Sequence, residues 1–198
     1  MNSKMYRVHP IMIPFFIFFY LSGEVAVYSI VFGSLLFHEL GHLLAAKLIG
    51  VKIISCTILP YGGEIRIEQF SKFKKVHQFL IVISGPFFTL LLLAFTTIID
   101  IPQKNIIVIT QILILCINLL PIYPLDGGRV LYIFNPTRYN DLVGFSLVFS
   151  FLIFCASLYY FPRLLSVSII FLYLFILNIS FWRFRKYKLA FDNITRSA

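Results

Sequence analysis

The sequence has 198 residues, of which 60% are hydrophobic, 18% aromatic and only 13% charged. A water-soluble domain with that balance could not cover its own surface with polar groups, so lipid must do so. The formal net charge of +9 would suggest nucleic acid in a soluble protein, but Lys and Arg fall here between apolar runs, where they orient a chain in a bilayer, and no nucleic-acid partner is expected.

Apolar runs recur from Ile11 to Trp182, far beyond the single short run of a signal peptide. A helix crossing the hydrocarbon core needs about 20 apolar residues, which places six candidate spans near 8–22, 25–49, 77–99, 104–124, 142–161 and 163–182. Residues 11–49 as one straight helix would be about 58 Å long, nearly twice the core thickness, so the chain turns back at Ser22-Gly23-Glu24. After the second span, Gly62-Gly63-Glu64-Ile65-Arg66-Ile67-Glu68 alternates apolar and charged residues, the pattern of a strand after a flexible turn. A short β-hairpin or re-entrant segment is expected there, and its edge could receive a substrate in extended form.

With six spans and the amino terminus inside, 15 of the 17 Lys and Arg residues fall on the cytoplasmic side, and only Lys104 and Arg163 fall outside. That asymmetry follows the positive-inside tendency and puts both termini in the cytoplasm. The expected fold is an all-α, multi-pass cell-membrane protein of about six transmembrane helices. It has one domain over residues 1–182 and a basic cytoplasmic tail over 183–198. Cys56, Cys116 and Cys155 have no paired spacing, so neither a disulfide framework nor a cysteine zinc site is indicated.

Ionisable side chains inside a span are costly and mark function by default. Phe37-His38-Glu39-Leu40-Gly41-His42 lies in the second span, and at 3.6 residues per turn the two histidines project from one helix face. Two histidines around a glutamate at this spacing form the zinc-protease signature: imidazole nitrogens bind Zn²⁺, and Glu39 reaches the water rather than the metal. Catalytic zinc commonly takes a third protein ligand. Asp126 is the best candidate, because it ends a run broken by Pro121 and Pro124 and followed by Gly127 and Gly128, and broken helix at membrane depth lines a cavity. The competing role for Asp126 is a loop carboxylate paired with Arg129. A non-enzymatic metal transporter would carry polar residues along a path, whereas outside this cluster the spans are almost bare. An inactive homologue would typically have lost Glu39 or a ligand.

The combination of His38-Glu39-Leu40-Gly41-His42 with the segment from Asn118 to Gly128 resembles the site-2 protease family of intramembrane metalloproteases. Val8-His9-Pro10, Leu59-Pro60-Tyr61-Gly62-Gly63-Glu64 and Ser84-Gly85-Pro86 extend the resemblance toward its sporulation branch. The resemblance implies that His38, His42 and Asp126 ligate Zn²⁺, that Glu39 is the catalytic acid/base, and that Asn118 holds the substrate strand. It also implies a membrane-tethered sigma-factor precursor as substrate, membrane inhibitor proteins as partners, and a place in the mother-cell membrane around the forespore. Two features depart from the branch. The 16 residues after Trp182 are too few for its carboxy-terminal CBS domain, and Phe87-Phe88-Thr89 stands where many relatives carry Asn, so that segment is expected to supply no catalytic residue.

Overall fold

The computed structural model describes residues 6–8, 10, 13, 17, 20–21, 23, 25–59, 62–68, 70–160 and 164–197. The span expected over 8–22 and the turn after it lie largely outside the described residues. The chain forms two compact units, residues 1–70 with 76–118 and residues 71–75 with 119–198.

In the first unit, β1 (Tyr6–Val8) precedes helix α1 (Val25–Ile49), strands β2 (Ile53–Leu59) and β3 (Gly62–Ile67), and helices α2 (Lys75–Ile98) and α3 (Lys104–Asn118). The expected hairpin is present: β2 and β3 pair antiparallel, with Cys56 opposite Ile65 and a register shift between Ile53 and Ser55. Not expected was β1, which pairs parallel with β2 and makes the sheet order β1-β2-β3. Three residues far from the hairpin in sequence give no periodic signal of their own. At the base of the hairpin, Lys52 Nζ meets Glu68 Oε2 at 2.8 Å, and this partner raises the pKa of the exposed lysine.

Helix α1 has its polar residues inside and its apolar residues outside. Ser34, His38, Gly41, His42 and Ala46 are buried, whereas Leu36, Leu40, Leu44 and Leu48 form an exposed ridge at helical spacing. In water this would be inverted; in lipid the leucines are at no disadvantage and small or polar residues make the helix contacts. One contact is to α3, where Gln111 Nε2 donates to Ser34 Oγ at 2.6 Å.

In the second unit, α4 (Asp126–Phe134), α5 (Tyr139–Tyr159) and α6 (Leu165–Ser197) follow one another. Ser146, Ser150 and Ser157 of α5 are buried while Phe145, Val148, Phe151 and Leu152 face outward. Between α5 and α6, Ser157 Oγ and Ser168 Oγ lie 2.7 Å apart, the close, polar kind of contact that membrane helices favour. Helix α6 runs on beyond Trp182 through the basic residues to Ser197.

Four helices among the described residues are long and apolar enough to cross a membrane. The span expected over 104–124 is shorter than foreseen: α3 stops at Asn118 after 15 residues, about 22 Å of helix. Pro121 and Pro124 cannot continue it. The chain instead forms a loop that buries Ile122 and Leu125, 0% and 4% exposed, then starts α4 at Asp126.

Candidate metal centre

His38 and His42 stand on one face of α1 because they are four residues apart, and the crossing of α2 over that face converges their rings. The crossing is close because two glycines permit it. A Cβ on Gly41 would meet the Ser84 carbonyl and the Phe88 side chain, and a Cβ on Gly85 would overlap the rings of His42 and His38. Pro86 follows within α2, where its missing N–H leaves the helical ladder one bond short.

His38, Glu39 and His42 are 1%, 8% and 4% exposed. Their potential ligand atoms all lie within 4.8 Å of one another. The Nδ1 atom of His42 lies 2.7 Å from the Ile81 carbonyl oxygen. A carbonyl can only accept, so Nδ1 carries the proton and Nε2 of the neutral ring presents a lone pair. Thr89 fixes His38 in the same way: its hydroxyl donates to the Gly85 carbonyl at 3.2 Å, so its Oγ1 accepts from His38 Nδ1 at 2.8 Å.

The two Nε2 lone pairs therefore lie on atoms only 3.2 Å apart. Without a cation that approach is repulsive; with one it is the expected geometry. Two nitrogens each about 2.0–2.1 Å from a tetrahedral ion are about 3.3 Å apart. The buried His-Glu-His donor set fits Zn²⁺, with neutral imidazoles whose Nδ1 protons are already engaged. Cys56 on β2 is buried, and burial together with the Glu39 charge pushes its thiol pKa up, away from the thiolate that would bind metal.

Of the residues expected from the sequence, His38, Glu39 and His42 are brought together. Asn118 closes α3, 8% exposed, with its Nδ2 donating to the Ile114 carbonyl at 3.1 Å. Asp126 opens α4 in the second unit, 4% exposed. Its Oδ1 lies 3.9 Å from Arg129 Nη1, at the long limit of an ion pair. Thr89, Gly85 and the Ile81 carbonyl were not foreseen as supports of the histidines. The available signal was a Gly-Pro pair inside a span with a hydroxyl one turn later.

Residues 26–103 match the profile of peptidase family M50. The chain is 28% identical over 180 residues to stage IV sporulation protein FB of Bacillus subtilis, covering 84% of this chain and 62% of that protein. It is 31% identical over 125 residues to a zinc metalloprotease of Methanocaldococcus jannaschii, covering 59% of this chain and 36% of the relative. The chain thus spans about three-fifths or less of the length of these relatives. The solved site-2 protease of Methanocaldococcus jannaschii has the same fold, with a TM-score of 0.62 at 24% identity over 92% of this chain and 90% of that one. Together with the four membrane-length apolar helices among the described residues, this likeness identifies an integral membrane protein. Over residues 26–103, the stretch that holds His38, Glu39 and His42, the chain is thus similar to peptidase family M50.

Proposed function

We propose that the chain is an intramembrane zinc metalloprotease in which His38, His42 and Asp126 hold the metal and Glu39 is the general acid/base. The observation that carries this reading is the pair of histidine Nε2 atoms 3.2 Å apart inside a membrane-length helix. When bound, zinc supplies Lewis acidity, which polarises a carbonyl and acidifies water at neutral pH. The Glu39 carboxylate takes the proton from the attacking water and delivers it to the nitrogen of the departing amine, so both proton transfers use one side chain. Thr89 and the Ile81 carbonyl accept from Nδ1 of His38 and His42 and so turn each Nε2 toward its role as metal ligand. Asn118 spends one N–H on its own helix and uses its remaining hydrogen-bonding capacity on the substrate backbone.

The substrate is a membrane-tethered protein, and the 28% identity to a stage IV sporulation protein favours a sigma-factor precursor whose pro-sequence is removed. In that setting the chain sits in the mother-cell membrane with both termini in the cytoplasm, and membrane inhibitor proteins hold it inactive until a signal arrives. The test is coexpression with a membrane-tethered sigma-factor precursor. Glu39→Gln is expected to reduce processing by roughly 10²- to 10⁴-fold, the usual contribution of a positioned acid/base, while retaining zinc. Unchanged processing by Glu39→Gln contradicts the mechanism.

A further inference from the structure

The segment between α3 and α4 carries the backbone that leads into Asp126, and helices α5 and α6 hold it at one residue, Tyr123. On one side, Tyr123 N–H donates to Ser146 Oγ at 2.8 Å; the Ser146 hydroxyl proton is used on the Leu142 carbonyl at 2.7 Å, so Oγ can only accept here. On the other side, Asn178 Nδ2 donates to the Tyr123 carbonyl at 2.8 Å and to the Leu174 carbonyl at 2.9 Å. Both neighbours of that amide are acceptors, which fixes its orientation. Ser146 and Asn178 are both 0% exposed.

The Asn178 Oδ1 atom is buried without a hydrogen-bond partner. A buried amide that satisfies only its donor half carries the cost of an orphaned acceptor, whereas leucine would instead leave the Tyr123 carbonyl without this donor. What the amide supplies that leucine cannot is a fixed position for the Tyr123 carbonyl. The Tyr123 ring is held as well, edge-on to Phe181 at 5.1 Å and to Tyr139 at 5.7 Å.

From Tyr123 the constraint passes to Asp126 through two residues, Pro124 and Leu125, with no slack. Leu125 N–H donates to the Ile122 carbonyl at 2.9 Å, and Arg129 N–H closes on the Leu125 carbonyl at 2.9 Å. A Cβ on Gly127 would strike the Leu119 and Leu120 carbonyls, and one on Gly128 would strike Ile122. The first turn of α4 is therefore packed directly on the loop that Ser146 and Asn178 hold.

We propose that Ser146 and Asn178 are positioning residues for the Asp126 carboxylate, a clamp that presets this ligand for the metal. The proposal rests on the reading of Asp126 as a zinc ligand. It is tested on the full-length protein in detergent, by titrating Zn²⁺ against a chelator and recording the visible absorption of the Co²⁺-substituted form. Asp126→Ala serves as reference.

Ser146→Ala and Asn178→Leu, which act on the two peptide groups flanking the Tyr123 Cα, are each expected to weaken zinc binding by roughly 10- to 100-fold, as loss of a ligand's support does. They should also shift the Co²⁺ bands toward those of Asp126→Ala, and Ser146→Thr, which keeps the acceptor oxygen, should restore both. Wild-type affinity and spectrum in whichever of the two variants folds, with zinc lost in Asp126→Ala, overturns the clamp and leaves Asp126 as ligand. Wild-type zinc binding in Asp126→Ala itself overturns the reading beneath it.

Discussion

Gly85 decides whether two imidazoles can meet a metal, because its missing side chain is the space their rings occupy. Gly85→Ala is expected to displace His42 or push α2 away, at the roughly 1–3 kcal/mol typical of overpacking, and to remove zinc from the purified protein. Gly33→Ala, in open space on α1, is its control and should keep zinc in full; equal zinc in the two variants refutes the packing argument. Burial and the Glu39 charge also raise the Cys56 pKa, so its thiolate forms at higher pH than an ordinary thiol. Alkylation of Cys56 in detergent should therefore rise only well above about pH 8.5, and a half-maximal rate below that value would contradict the assigned surroundings. At this scale the sequence was informative where chemistry is local. Histidines at i and i+4 around Glu39 announce a shared face, whereas the Thr89 and Ile81 contacts depend on how two distant helices cross, and nothing in the spacing of either residue encodes that crossing.

Among the elements, the hairpin and most helices follow from pattern: alternation over 62–68 and apolar runs of membrane length. The early end of α3 at Asn118 was only half legible, since Pro121 and Pro124 predict a break without saying that the loop buries Ile122 and Leu125. Asn178 and Ser146, which hold that loop, read in sequence as stray polar residues in apolar helices. Their partners are backbone atoms more than 20 residues away, which no periodicity can reveal. The loop is thus a rigid part of the fold, and hydrogen exchange at the Tyr123 and Leu125 amides should be as slow as in α5. Exchange there as fast as at the exposed ends of helices would contradict a clamped loop.

For the molecule as a whole, lipid explains the inverted helices: leucine ridges outside, serine, glutamine and histidine inside. Composition alone required a bilayer, and the basic residues predict its orientation. Reporter fusions after Lys75, Asn135 and Arg183 should all report the cytoplasm, and one after Ile101 the opposite side. A centre built in such surroundings must reach its metal geometry without bulk water to compensate for misplaced charges. The most direct measurement is therefore X-ray absorption at the zinc edge of the purified protein. It is predicted to give a shell of nitrogen and oxygen only, with two imidazoles at about 2.0–2.1 Å, unchanged in Glu39→Gln and absent in His38→Ala/His42→Ala. A sulfur-containing shell, or the same zinc content and spectrum after both histidines are removed, would contradict it.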